Sequence, residues 1–344
     1  SVWSTNATRT NLVFTGPKRY AARLGAPWAG QPYQMVIPSR TGDSSLQDGY
    51  DVITHLANNI YTAEYISVKL CRLFVHDGFP NPTTTTNLGE YGFYDYTNPN
   101  RSPEAELVRQ CIVAWDTPGP DGRQGNLRLV LRAIFNSDLF RGHGGSMQKV
   151  KTPLEYTVSA IRALRSANPD GTFTARTDGY SISGRGGSAY PLVRMGNLQL
   201  FNRDSPDGYP EASDPWVSAG TLAERIRFVQ TMLMAVGDTN RNDGITGGNN
   251  NVADPVALLK KKLPAGSWNS AGDVVDYFLG ILFPGEGAAN LDLYRLAAID
   301  FLNTSDNGQS ASAFSGLGNA TPAYDTRIRA MVSSLMSLQR FQEQ

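Results

Sequence analysis

The chain has 344 residues, enough for one large or two ordinary domains, and its 31 basic residues balance 31 acidic ones. This zero net charge argues against a general nucleic-acid-binding protein, because such proteins usually carry an excess of Lys and Arg. The longest apolar run, Tyr277–Phe283, is far shorter than the roughly 20 residues of a membrane-spanning helix, so no membrane span is predicted.

Composition and the first residue bear on where the protein acts. Charged residues make up only 18% of the chain, and 34 Gly and 20 Pro accompany many Asn, Thr and Ser, which is typical of an ordered, loop-rich exported protein. The chain starts at Ser1 without Met or a charged-then-apolar leader, so we expect that a leader has been removed. We therefore expect the protein in the periplasm, at the cell surface or outside the cell.

Hydrophobic periodicity divides the chain into four stretches. Residues 1–48 are rich in Gly, Thr and Pro with short strand-like pieces, and residues 49–167 form a first helical block. Periodicity is lost over residues 168–215, a long irregular loop, and returns in a second helical block, residues 216–344. We predict one compact, mainly α domain, an irregular multi-helix fold with long loops and a few short β-strands near the N-terminus.

The segment Lys149–Arg165 carries five charged side chains in seventeen residues, which is consistent with either a charged site or the start of a helix. Thr152, Pro153 and Glu155 favour the helix, because they match an N-cap, a first-turn proline and a capping-box glutamate. We predict that Glu155 bonds back to the unpaired amide at the helix start. Arg162 lies two turns further along the same face, where it is placed to contact either Glu155 or an outside partner.

The two cysteines, Cys71 and Cys111, fall on two different predicted helices. Cys111 belongs to an apolar helix face that includes Leu107 and Val108, and the spacing of the cysteines fits no zinc pattern. Two interpretations stay open. The cysteines are either two buried free thiols or a disulfide that joins the helices in an oxidising compartment.

The best candidate ion site is an Asn/Asp/Gly-rich segment between two predicted helices, where oxygen ligands alternate ahead of Gly244 as in calcium loops. The candidate calcium ligands are Asp238, Asn240, Asn242, Asp243 and Asp254. The spacing departs from an EF-hand, which has Gly one position earlier and Glu at the twelfth position. The alternative is a turn that these residues form without an ion. Calcium is the only cofactor predicted.

No convincing catalytic set emerges from the sequence. The three histidines, His55, His76 and His143, share no metal-ligand spacing, and we expect His55 to be a packed residue and His76 to serve a helix C-terminus. Gly142–Ser146 (GHGGS) resembles an oxyanion loop, but no Gly-x-Ser-x-Gly nucleophile elbow accompanies it. An enzymatic role therefore stays open, and a non-enzymatic role is favoured.

Several aromatic residues lie in the irregular loop and directly after it, and five of them are candidate contact residues. Flat aromatics beside Asp and Asn can bind a carbohydrate or a protein neighbour, although anchoring a loop to the core is their commoner use. They are Tyr180, Tyr190, Phe201, Tyr209 and Trp216.

Five segments, in order, resemble a known bacterial family. They are TAEYISVKLCRLFV, GNLRLVLRAIFNSDLF, KTPLEYTVSAIRAL, SPDGYPEASDPW with ERIRFV after it, and RIRAMVSSLMSLQRFQ. Together, over roughly residues 50–342, they resemble the C-terminal half of the family catalogued as domain of unknown function 1800. The resemblance implies an exported, mostly helical protein, often encoded beside a sulfatase-like partner, and it brings no established activity or catalytic residue.

The chain departs from that family in two places. Typical members have another helical half upstream, with an Asn-Glu-Asn and then an Ala-Arg-Glu run, which this chain lacks. The stretch FTGPKRYAARLGAP keeps the family's Lys18 and Leu24–Gly25 but lacks the His-Asp that often precedes them. The chain is therefore expected to be a processed C-terminal piece, a divergent member or part of something longer.

These observations favour an interaction or assembly module at the cell surface or outside the cell, stabilised by calcium, with a protein partner or self-assembly. An upstream fragment of the same precursor is one candidate partner, and nucleic acid is not expected. The alternative is an extracellular hydrolase or another enzyme whose site needs an upstream half absent from this chain.

Overall fold

The structure is a computed structural model, and its chain divides into two compact units, Ser1–Lys149 and Val150–Gln344. The residues that it describes are 8–9, 12–41, 45–80, 93–120, 122–142, 149–164, 191–203, 205–210, 212–234 and 253–343. The sequence predicts one compact domain with a block boundary after residue 167, whereas the division falls after residue 149. The reason is that Tyr156 and Ile161 lie in the core of the second unit.

Short antiparallel strands precede the helices of the first unit. β1 (Thr8–Arg9) pairs with β4 (Arg40–Thr41). β2 (Leu12–Arg19) pairs with β3 (Pro32–Ile37). The chain turns between β2 and β3 through Gly25, whose φ of +72° lies in the left-handed region that glycine adopts at little cost.

Helices make up most of the rest of the first unit. They are α1 (Ser45–Ala57), α2 (Ile60–Phe74), α3 (Pro103–Asp116), α4 (Leu127–Asn136) and α5 (Asp138–Arg141). The core forms where the apolar faces of α2, α3 and α4 meet, and it includes Val68, Val108 and Ile134. The Ser102 hydroxyl accepts a hydrogen bond from the Ala105 amide at 3.1 Å, which fixes the start of α3.

Helices also make up most of the two longest described segments of the second unit. Its helices are α6 (Pro153–Ala163), α7 (Pro191–Arg194), α8 (Ala219–Met234), α9 (Pro255–Lys262), α10 (Ala271–Leu282), α11 (Ala288–Leu302), α12 (Pro322–Ser337) and α13 (Gln339–Gln342). Its core includes Val229, Phe278 and Val332 from three of these helices. The prediction of a mainly α fold with a few short strands near the N-terminus is confirmed.

The two ends of the second unit are hydrogen-bonded to each other. Val150 forms a β-bridge with Glu343, and the Lys151 amide donates to the Gln342 carbonyl at 2.7 Å. The Lys151 ammonium donates to the Phe341 carbonyl at 2.7 Å, at the end of the chain's last helix. Residues 150–151 and 341–343 are therefore joined by backbone and side-chain bonds.

The charged segment that begins at Lys149 serves helix ends. The Glu155 amide donates to the Thr152 hydroxyl at 3.3 Å and the Thr152 amide donates to the Glu155 carboxylate at 2.8 Å, so the predicted capping box is confirmed. In the first unit, the Lys149 ammonium donates to the carbonyls of Arg72 and Leu73 at 3.3 and 3.0 Å, where a cation complements the C-terminus of α2. Arg162 is exposed.

No helix in the described part of the chain combines the length and the apolar character needed to cross a bilayer.

Candidate functional site

A cleft of about 790 Å³ opens on the first unit, a volume within the range typical of small-molecule sites. We call it the tyrosine cleft, because four of the eight described residues that line it are tyrosines. The lining residues are Arg19, Tyr20, Tyr33, Leu56, Asn59, Tyr61, Thr62 and Tyr65.

Two pairs of elements position these side chains. Tyr20 directly follows β2 and Tyr33 lies in β3, so the antiparallel pair supplies one part of the lining. Tyr61 and Tyr65 are four residues apart near the start of α2, and this spacing places them on one face of the helix. Asn59 fixes that helix start, since its Oδ1 accepts a hydrogen bond from the Tyr61 amide at 2.9 Å.

The tyrosine rings support one another. The Tyr20 ring centre lies 5.8 Å from that of Tyr33, edge to face, and 5.7 Å from that of Tyr61. The Tyr61 hydroxyl accepts from the Ala21 amide at 3.0 Å, and the Tyr33 hydroxyl lies 3.2 Å from His55 Nε2. Burial raises the pKa of Tyr20, as do Tyr33 and Tyr61, so its phenol stays neutral. The rings are therefore held in place without a ligand.

The charge in the described part of the lining is positive. Among the lining residues that the structure describes, Arg19 is the cation, with one guanidinium nitrogen donating to the Gly30 carbonyl at 2.7 Å, and none is a carboxylate. The neighbouring Arg23 lies 6.0 Å from the centre of the Tyr61 ring, but its guanidinium is bound to both oxygens of Glu64 at 2.6 and 2.8 Å. Arg19 therefore supplies the charge of the tyrosine cleft.

Helix α1 presents an apolar surface that ends at the cleft. Four of its apolar residues are exposed, namely Leu46 (72%), Tyr50 (53%), Ile53 (62%) and Leu56 (48%). Their spacing of three to four residues puts them on one side of the helix, and we call them the apolar face of α1. On another side, Arg40 pairs with Asp48 at 2.7 Å and with Asp51 at 2.5 Å. A contiguous exposed apolar surface of this kind typically marks an interaction site.

The predicted calcium ligands at residues 238–243 lie outside the described residues, and Asp254 is the exception. Asp254 caps α9, accepting from the Ala257 amide at 3.0 Å, and it lies 3.2 Å from the Arg329 guanidinium. Within the described ranges, no group of three or more His, Cys, Asp or Glu side chains is placed to hold a metal. Calcium binding therefore stays a prediction. It depends on the candidate ligands within residues 238–243, because the Asp254 carboxylate already caps α9 and pairs with Arg329.

The structure brings the two cysteines together. Cys71 of α2 and Cys111 of α3 are both buried free thiols in the core of the first unit. A hydrogen bond with Cys111, followed by burial, raises the pKa of the Cys71 thiol. Because the two side chains are in direct contact, both the free-thiol and the disulfide interpretations stay open.

The described histidines have structural partners. His76 is buried just after α2, where its Nδ1 accepts from the Gly78 amide at 3.0 Å and its Nε2 lies 3.6 Å from a Glu104 oxygen. His55 of α1 packs edge-on against Tyr33, with ring centres 5.5 Å apart. His143 lies outside the described residues.

The aromatics of the irregular loop have different roles. Trp216 is buried, and its ring centre lies 6.1 Å from that of Tyr209, so these two anchor the chain as the commoner interpretation predicts. Phe201 is fully exposed at a positive φ of 60°. Tyr180 and Tyr190 lie outside the described residues.

Comparison with known proteins assigns the chain to a family. The family model described as "Protein of unknown function (DUF1800)" matches residues 32–342. This match covers nearly the whole chain, so the expectation that the chain corresponds only to the C-terminal half of the family is not supported. No curated protein and no solved structure matches the chain.

Proposed function

We propose a function for this chain, which belongs to the DUF1800 family of proteins of unknown function: it is an interaction or assembly module that acts outside the cytoplasm. Its partner is a protein, either a second copy, an upstream fragment of the same precursor or another exported chain.

The apolar face of α1 carries this proposal. Leu46 and Ile53 are 72% and 62% exposed although they are among the most hydrophobic side chains of the helix. Covering each of them with a partner stabilises the complex by on the order of 1–2 kcal/mol, because most of the side-chain area is still available for burial. Binding an amphipathic helix through its apolar face is a recurrent mode of protein recognition.

The anchoring of α1 makes this face a usable surface. The ion pairs of Arg40 with Asp48 and Asp51 tie the opposite, polar part of the helix to the strand that precedes it. The helix also contacts β3, through His55 and Tyr33 among others. A partner therefore meets a face whose backbone is already ordered, which lowers the entropic cost of binding.

Site-specific photo-cross-linking in the native host tests the proposal. A photoreactive phenylalanine analogue replaces Ile53, and a matched variant carries it at Leu127, a 49% exposed leucine at the start of α4 in the same unit. We expect a discrete protein adduct from position 53 that position 127 does not give. An adduct of twice the chain mass identifies a second copy, and any other mass identifies a different partner. Identical patterns from the two positions would refute the proposal.

Location is tested separately by fractionating cells that produce the full-length precursor. We expect the protein outside the cytoplasm, in agreement with its low charge content and loop-rich composition. Recovery in the cytoplasmic fraction, together with a cytoplasmic marker enzyme, would contradict the exported location. The role of α1 is tested independently by the cross-linking experiment.

A further inference from the structure

We infer that the tyrosine cleft is a saccharide-binding site with a preference for acidic sugars. This site shares Leu56 with the apolar face of α1, but the inference does not depend on the proposed protein partner. It rests on the chemistry of the lining, on its charge and on the spacing of the rings.

The lining combines the two contact types that a sugar needs. Sugar rings have apolar C–H faces that pack on aromatic rings, and the four tyrosines supply such rings with few rotatable bonds to immobilise. The hydroxyls of a sugar need hydrogen-bonding partners, and Asn59, Thr62 and Arg19 place polar side chains in the same lining.

Charge in the cleft selects among ligands that stack on aromatics. An aromatic pocket is also suited to a quaternary ammonium group, which binds the faces of tyrosine rings. Here, however, Arg19 supplies a cation beside the rings, whereas the nearby Arg23 guanidinium, 6.0 Å from the Tyr61 ring, is already neutralised by Glu64. With no carboxylate among the described lining residues, a cationic ligand is repelled, whereas a carboxylate or sulfate group on a sugar is attracted to Arg19.

Ring spacing argues against a proline-rich peptide, which is the other common ligand of aromatic grooves. A pyrrolidine ring held between two aromatic rings needs a gap of about 7 Å between them, twice the carbon–carbon contact distance. The Tyr20 ring centre lies only 5.7 Å from that of Tyr61 and 5.8 Å from that of Tyr33. The gaps between Tyr20 and its two neighbours are therefore too narrow for a pyrrolidine ring, and a ligand can contact only the outer surfaces of these rings.

Affinity electrophoresis of the purified chain tests the inference, with polygalacturonate as the acidic saccharide and a neutral glucan as the comparison. We expect retardation by polygalacturonate at low salt, and weaker retardation at physiological salt because the Arg19 attraction is screened. Tyr65→Ala should weaken binding about tenfold, equivalent to 1.4 kcal/mol. Tyr65→Phe should retain binding, and Arg19→Gln should remove the preference for the acidic over the neutral polymer.

Leu127→Ala is the control, because Leu127 is a 49% exposed residue of the same unit that is absent from the lining of the cleft and from the apolar face of α1. It should bind polygalacturonate as the unchanged protein does, and circular dichroism should show that all four variants are folded. Failure of the unchanged protein to bind either polymer would overturn the inference. So would equal binding by Tyr65→Ala, or tyrosine-dependent binding of a proline-rich peptide in place of the saccharides.

Discussion

The ammonium of Lys151 lies 4.3 Å from the centre of the Phe341 ring and donates a hydrogen bond to the carbonyl of that same residue. Burial lowers the pKa of Lys151 to about 8; Glu155 acts in the opposite direction, and Arg225 adds to the lowering. Arg225 is itself fully buried, 5.2 Å from the centre of the Tyr156 ring. Two cations are thus held inside the second unit, largely by aromatic rings and carbonyl groups.

This arrangement predicts how stability depends on pH. Lys151 has a pKa of about 8 when folded and 10.5 when unfolded, so the unfolded chain binds the proton more tightly. The resulting penalty is complete below pH 8 and is relieved as the pH rises towards 10, and it amounts to roughly 3 kcal/mol. We expect Lys151→Met to flatten this rise in the free energy of unfolding, measured by urea denaturation. Lys261→Met, at an exposed lysine, is the control, and identical profiles for all three proteins would contradict the prediction.

The capping box should show coupling between its two members. Thr152→Ala removes the acceptor for the Glu155 amide and should lower the free energy of unfolding by about 1 kcal/mol. Glu155→Ala removes the reciprocal bond to the Thr152 amide. Because the two bonds act on one helix start, the double variant should lose less than the sum of the single variants, as urea denaturation will show. Strict additivity would mean that the two side chains act independently.

The buried pair of Arg23 and Glu64 should be far more sensitive than a surface pair. Glu64 is 1% exposed and accepts from both Arg23 and the Tyr96 hydroxyl, the latter at 2.8 Å. Glu64→Gln leaves the part-buried guanidinium without its counterion, so we expect a loss of about 3 kcal/mol in the free energy of unfolding. Glu106→Gln, which breaks the more exposed pair with Arg101, should cost less than about 1 kcal/mol. Similar losses from both variants would contradict this ranking.

Contact between Cys71 and Cys111 predicts a disulfide in protein recovered from an oxidising compartment. Its formation releases two protons and passes two electrons to an oxidising disulfide of the compartment. Intact mass should then be lower by two hydrogens, and reduction should lower the stability by roughly 4 kcal/mol, the entropic value for a loop of about 40 residues. Cys71→Ser should show neither effect. Full labelling of both cysteines in denatured, unreduced protein would show that they are free thiols.

The calcium hypothesis is tested by the thermal midpoint of the second unit. Calcium should raise this midpoint and a chelator should lower it, since an ion that binds only the folded state stabilises it. Asp243→Asn should abolish the response, because a carboxylate ligand is lost. Asp254→Asn should lower stability with or without calcium, since Asp254 already caps α9 and pairs with Arg329. If neither calcium nor the chelator shifts the thermal midpoint, calcium is excluded as a stabilising ion.

Local chemistry explains which features could be predicted from the sequence. The capping box at Thr152 and the N-cap at Ser102 depend on residues three positions apart, so the sequence contains all the information needed. In α1 the apolar residues Ile53 and Leu56 recur at helical spacing, but both are exposed. Periodicity identifies a face and carries no information on what covers it.

The tyrosine cleft could not be predicted in the same way. Its residues come from the end of β2, from β3, from α1 and from α2, so they meet only after the strands pair and the helices pack. The spacing of Tyr61 and Tyr65 was the single local signal, and it is equally typical of an ordinary helix face. The division of the chain after Lys149 is likewise a consequence of packing, because α6 contacts α7 and α8.

The bridge between Val150 and Glu343 has a topological consequence. Because the backbone at Val150 lies next to the backbone at Glu343, the first and last residues of the second unit are adjacent in space. A short linker between them, with a new opening at a surface turn, gives a circular permutant that keeps every helix contact. For the same reason, residues 150–343 are suited to insertion into a single loop of a host protein. The two ends of that host loop would not have to be separated.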